Sequence, residues 1–228
     1  MTAYDDQVLS DSPVGYWKMQ EASGLPQDSS GNANHMTDFT GATQPNYQQA
    51  GPFNLGYSIE YPGGRRHHRT AVSTATSNFS LEFWGLIVST INSQTMVGNN
   101  NGGTNGWAML ANSNRKGQAI AQGVALLAET SVAAFPVSTW THFVLVKASG
   151  AGGIWTYYIN GVVDTANAGT TSVTTPSGAT TKLGNPDGTM QLKLSHVAIY
   201  NSALSSDRVI AHYEEAAGQV PYVSITVH

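Results

Sequence analysis

The sequence predicts an all-β protein, an antiparallel two-sheet sandwich with one short C-terminal helix. Strand-like runs rich in aromatic and β-branched residues recur along the 228-residue chain, each bounded by turn residues. A single segment, near the C-terminus, has helical spacing, whereas a parallel sheet would need a helix between most strands. Charged residues are 11% of the chain, well below the roughly 25% of an average soluble protein. Gly, Ser, Thr, Asn and Ala fill the gap, which suits strands joined by turns.

In chain order the runs are GYSIEY (56–61), FSLEFWGLIV (79–88), GWAMLAN (106–112), THFVLVKA (141–148), IWTYYIN (154–160), GVVDTA (161–166) and LKLSHVAIY (192–200). Segments 98–106, 148–153 and 169–178 are loops by composition. Asn160-Gly161, flanked by strand residues, predicts a two-residue hairpin turn, because both positions need positive φ. The helix is SDRVIAHYEEAAG: Ser205 caps it, Leu204 and Val209 form a hydrophobic staple, and Gly218 stops it. Val209, Ile210 and Tyr213 give its apolar face. After it, QVPYVSITVH alternates like a strand.

No internal repeat or linker divides the chain, so residues 1–228 read as one domain. There is no cysteine, which excludes disulfides, thiolate metal sites and cysteine nucleophiles. A net charge of −4 argues against a general nucleic-acid binder. No apolar run is long enough for membrane insertion as a helix. The start, MTAYDDQVLSDSP, lacks a basic n-region and an apolar core, so no secretory signal is expected.

Three segments in order resemble the laminin-G-like branch of the concanavalin A-like lectin/glucanase domains. SPVGYWKMQEASGLPQDSSGNANHMT (12–37) resembles the family opening. WTHFVLVKASGAGGIWTYYINGVV (140–163) resembles its Trp-x-His strand and Tyr-x-Asn-Gly hairpin. LKLSHVAIYNSALSSDRVIAHY (192–213) is similar to its closing strand and short helix. The resemblance implies a jelly-roll sandwich. It does not fix a function, since this fold serves lectins, glycosidases and structural modules. The opening YDDQVLSDSPVGYW also resembles the starts of phage virion and bacterial surface proteins with this domain.

Relatives of this kind often hold a structural calcium, with an Asp from the closing strand. Here the matching positions are Leu194, Ser195, His196 and Val197, and none supplies an anionic oxygen. Glu21 and Asp28 remain as candidate ligands; the alternative is that Asp28 holds a turn. No cofactor is otherwise expected. Glycosidases on this sandwich need two carboxylates flanking the scissile bond. Glu82 and Glu129 stand alone on their segments, while Asp5-Asp6 and Glu214-Glu215 are adjacent pairs, so no enzyme activity is expected. For a glycan, Trp107 is the candidate platform, with Asn99, Asn100, Asn101 and Asn105 as polar partners. The alternative is that Trp107 is core, as Trp17, Trp84 and Trp140 are expected to be.

RRHHR (65–69) gathers three of the ten basic residues, and Pro62-Gly63-Gly64 before it reads as a turn. It falls at a hairpin tip or at the start of the returning strand. Alternation points His67 and His68 to opposite faces, which argues against one shared metal. The readings are a solvated edge, or a partner contact through Arg65, Arg66 and Arg69. The combined expectation is a non-catalytic virion surface protein, a capsid decoration or tail-associated jelly roll. It is made in the host cytoplasm without a signal peptide. Its partners would be other virion proteins and a host-surface glycan, and homo-oligomers are compatible with it. Residues 1–15 and 219–228 are the candidate docking arms, or else strands closing the protein's own sandwich. The rival readings are a free carbohydrate-binding lectin and a glycoside hydrolase.

Overall fold

A computed structural model of the protein describes residues 2–72, 78–89, 94–100, 106–121, 125–130, 135–148, 154–164, 167–168, 180–185 and 190–218. The elements in chain order are α1 (Ala3–Ser10), β1 (Gly15–Trp17), β2 (Asp38–Thr40), β3 (Asn46–Ala50), β4 (Tyr57–Tyr61), β5 (Arg65–Thr70), β6 (Phe79–Ile87), β7 (Gln94–Asn100) and β8 (Gly106–Ala111). There follow β9 (Gly117–Ala121), β10 (Ala125–Glu129), β11 (Thr141–Lys147), β12 (Trp155–Ile159), β13 (Val162–Val163), β14 (Asn167–Ala168), β15 (Thr180–Asn185), β16 (Leu192–Tyr200) and α2 (Ser206–Ala217).

The strands form a jelly-roll sandwich of two sheets. Sheet I has the order β13-β12-β11-β6-β16-β4-β3, with β1 also pairing β16; sheet II has the order β14-β10-β9-β8-β7-β15-β5-β2. Their strand pairs are antiparallel. The inner faces enclose one core, to which sheet I gives Leu81, Phe83, Phe143, Leu145 and Ile199, and sheet II gives Val97, Met109 and Leu183.

The outer face of sheet I is buried too. Tyr4 and Val8 of α1 and Val209 and Ala216 of α2 pack there with Trp84, Val144, Ala198 and Tyr200. This second cluster explains why THFVLVK and LKLSHVAIY read as nearly unbroken apolar runs. Period two would make a strand with one wet face alternate, but every residue of β11 is buried. Burying one such aliphatic side chain stabilises the fold by about 1.5–3 kcal/mol.

Helix α2 runs as the sequence reads. Ser205 accepts from the Arg208 amide, Gly218 takes the left-handed conformation (φ 60°), and Leu204 and Val209 are both buried. Its buried face, however, is Val209, His212 and Ala216, while Ile210 is 38% exposed. The hairpin turn also forms as expected, with φ of 51° at Asn160 and 79° at Gly161.

Two expectations change. A second helix, α1, lies inside the candidate docking arm 1–15. Thr2 caps it: its hydroxyl accepts from the Asp5 amide (3.1 Å), and the Asp5 carboxylate accepts from the Thr2 amide (2.8 Å). Two of the arm's apolar residues, Tyr4 and Val8, are buried against the protein's own sheet I. The other arm, 219–228, lies outside the described residues. In addition, RRHHR is not at a hairpin tip or a solvated edge. Strand β4 belongs to sheet I and β5 to sheet II, so the turn at 62–64 crosses between sheets, and β5 is flanked by β15 and β2.

Candidate functional site

Strand alternation divides the basic cluster between two faces. His67 points into the inter-sheet core, where its Nδ1 lies 2.7 Å from the Tyr61 hydroxyl and its Nε2 3.3 Å from that of Tyr47. Burial, with the neighbouring His68, lowers its pKa to about 4. Arg65 and Arg69 hold rim loops. The Arg65 guanidinium donates to the carbonyls of Thr43 (2.9 Å), Pro62 (2.6 Å) and Gly63 (3.1 Å). Arg69 donates to the carbonyls of Thr70 (2.9 Å) and His35 (3.3 Å). Two of the three arginines expected to contact a partner are therefore engaged with backbone of their own chain.

Arg66 and His68 face outward from sheet II. His68 Nε2 lies 3.0 Å from the Thr40 hydroxyl and 3.7 Å from the Asp38 carboxylate. The register places Lys182 of β15 directly beside His68. Partial burial, and the like charges of Arg66 and Lys182, lower the His68 pKa against the opposing pull of Asp38.

Trp107 is not a platform. It is 1% exposed and packs between the sheets against Phe79, ring centroids 5.0 Å apart. Position 107 shares the inward face of β8 with Met109 and Ala111, so its indole fills the core. Asn99 is also fully buried, and its amide donates to the Val72 carbonyl at 2.9 Å. Asn100 pairs with Gly106 in the β7–β8 ladder, which shortens the loop expected over 98–106. Asn101 and Asn105 lie outside the described residues.

Asp28, one of the two candidate calcium ligands, holds a turn. One Asp28 oxygen accepts from the amides of Tyr16 (2.8 Å) and Ser30 (2.9 Å), and the other from the Ser30 hydroxyl (2.8 Å) and the Asn34 amide (2.7 Å). Its acceptor directions are thus filled by protein donors. Glu21 accepts separately from the Gln27 amide at 2.9 Å. Among the described residues no group of three or more His, Asp or Glu side chains is placed to hold a metal ion.

Glu82, the lone acid of its segment, is the hub of a buried polar network between sheet I and the helices. It is fully buried and accepts from the hydroxyls of Tyr4 (2.8 Å) and Tyr200 (2.7 Å). His142 Nε2 and His212 Nδ1 each lie 2.9 Å from its oxygens. Burial alone would raise its pKa; His212 and His142 outweigh that and hold it well below the usual carboxylate range. The other ring nitrogen of His212 is 3.0 Å from Asp11, which also pairs with Arg208. Burial would lower the His212 pKa, but Glu82 and Asp11 on its two sides raise it. Next to this hub His196 sits with Nδ1 2.6 Å from the Ser195 hydroxyl, and burial lowers its pKa to about 4 despite Asp5. A carboxylate this enclosed ties layers together and presents no free oxygen to a substrate.

Beside the α2 surface, Asn160, Gly161 and Val162 of the hairpin form a shallow groove with Ile210, Tyr213 and Glu214. Val162 and Val163, on the edge strand β13, are 69% and 55% exposed.

A family model described as "Concanavalin A-like lectin/glucanases superfamily", of the laminin G type, matches residues 62–210. The chain belongs to this superfamily. Solved structures agree with the sandwich. The botulinum neurotoxin serotype D binding domain superposes with a TM-score of 0.67 at 16% identity, covering 91% of this chain and 52% of that one. The ligand-binding domain of the same serotype, in complex with N-acetylneuraminic acid, gives 0.64 at 14% identity, covering 95% and 53%. Trypanosoma rangeli sialidase gives 0.61 at 14% identity, covering 89% of this chain and 32% of that one. The chain thus spans about half the length of the toxin domains and a third of the sialidase. At these identities the likeness is one of fold. No curated protein sequence matches the chain.

Proposed function

We propose that the protein is a non-catalytic jelly-roll binding module displayed on a virus particle, as a capsid decoration or tail-associated protein, where it docks on the particle and contacts host glycans. The observation that carries the binding half is the state of Glu82. Hydrolysis on this sandwich needs a pair of carboxylates open to the sugar, and this central carboxylate has 0% exposure and is surrounded by protein donors. Docking is supported by the exposed Val162 and Val163 on the edge of sheet I, since an edge strand offers backbone groups to a neighbour. The viral setting rests on the resemblance of the opening segment to virion proteins. The glycan contact is supported by lectin-like membership and by a structural neighbour that holds N-acetylneuraminic acid.

Mass spectrometry of purified particles tests the reading: the chain is expected among the virion proteins, and the isolated protein is expected to co-sediment with particles lacking it. Absence from particles, together with a glycan-array hit, would replace this reading with a free lectin, which superfamily membership also favours. Release of reducing ends from polysaccharide would make the protein a hydrolase.

A further inference from the structure

Strand β13 ends the order of sheet I and shares a shallow groove with α2. Sheet edges are usually blunted by lysine, proline or a bulge. This edge carries Val162 and Val163 instead, 69% and 55% exposed. Val162 lines the groove with Ile210, Tyr213 and Glu214 of the helix. Asp207, Ile210 and Glu214 stand at i, i+3 and i+7 of α2, so an exposed apolar side chain lies between two carboxylates on one helical face. Both acids are exposed, and among the described residues neither has an ion-pair partner. Arg208, the single arginine or lysine of α2, is taken by Asp11 at 2.9 Å. An apolar groove is thus rimmed by one sign of charge.

We propose that this groove docks a basic, extended segment of another protein, with an apolar side chain between two cations on one face. Alternate residues of an extended chain share a face, so the segment has the pattern cation-x-apolar-x-cation. Its apolar side chain meets Val162 and Ile210. Its cations meet Asp207 and Glu214, which stand about 10 Å apart along the helix. The cations stand about 13 Å apart along the segment, a difference that lysine or arginine arms take up. Backbone groups of the segment pair with the open edge of β13. Charge decides the occupant. Edge-to-edge pairing of two copies would bring the acids of both together, and like charges at an interface cost affinity. An acidic peptide, a nucleic acid or an anionic membrane is repelled in the same way. The inference rests on the particle-docking reading above and gives the docking partner a chemical class.

The test is a titration of the isotope-labelled full-length protein at low salt with the end-blocked peptide Lys-Thr-Val-Thr-Lys, followed through the amide resonances of Val162 and Ile210. Both resonances should move with this peptide and stay in place with Glu-Thr-Val-Thr-Glu. The double variant D207N/E214Q should bind about fivefold more weakly, with the thermal transition of the parent showing an intact helix. E215Q removes the same charge from the neighbouring groove, lined by Gln7, Ala211 and Gly218, and should stay within about twofold of the parent. Four results overturn the inference. They are no movement of either resonance, an equal response to the acidic peptide, an equal loss in E215Q, or, in the free protein, Overhauser contacts of Val162 with residues 219–228 or with a second copy. The last would give the groove to the chain itself. Particle co-sedimentation that survives D207N/E214Q, with no peptide bound by the parent, would remove this inference and leave particle docking standing. Peptide binding by a chain absent from particles would keep the basic-segment site and remove the particle.

Discussion

His212 of α2 and Glu82 of β6 meet at 2.9 Å with neither side chain exposed, and the far nitrogen of the same imidazole lies 3.0 Å from Asp11. One ring thus bridges two carboxylates, one on sheet I and one just beyond α1. The pairing fixes both helices to the outer face of the sheet.

Removing the hub charge should therefore loosen that layer. E82Q leaves His212 with one carboxylate and breaks a buried pair, a change that costs about 3–5 kcal/mol. The urea midpoint should fall accordingly. A loss under about 1 kcal/mol would show that the network is not a clamp.

Stability should fall on mild acidification. His67 and His196 have folded pKa values near 4, below the ordinary 6.5. Between those values the unfolded chain takes up protons that the fold refuses, so their contribution is full above pH 6.5 and shrinks as pH falls towards 4. Each histidine contributes up to about 1.4 kcal/mol per pH unit. His212 acts in the opposite sense: its raised pKa gives stability that is present below 6.5 and lost as pH rises through its folded value. Urea midpoints from acid to alkaline pH should thus peak near neutrality. H196N, chosen because Asn tolerates the φ of 50° there, should flatten the acid limb; an unchanged acid slope would refute the assignment.

Gly161 meets two demands at once. Its φ is 79°, and a Cβ would come within 3.2–3.4 Å of Tyr213. G161A should lower stability by about 1–2 kcal/mol, read as a drop in thermal midpoint; N160G keeps the turn geometry but removes the Oδ1 that accepts from the His142 amide (2.9 Å), and should cost about 1 kcal/mol.

Trp107 should behave as core. W107A should cost about 3–5 kcal/mol. W107F should fold and bind any glycan as the parent does. Selective loss of glycan binding in folded W107F would restore the platform reading.

The sequence by itself determined the sandwich, the Asn160-Gly161 turn and the capped helix α2, because each is encoded locally by side-chain period or by a residue suited to one φ. It also carried the Thr2-x-x-Asp5 cap of α1, but a helix of eight residues with few apolar positions gives little periodic signal. Strand alternation alone separates His67 from Arg66 and His68. Only the tertiary structure could place Lys182 and Asp38 beside His68, gather Tyr4, His142, Tyr200 and His212 around Glu82, and turn Trp107 inward. Those contacts join residues far apart in the chain. Which face of a strand is wet, and which acid finds a partner, is decided by the layer packed against it rather than by its neighbours in sequence.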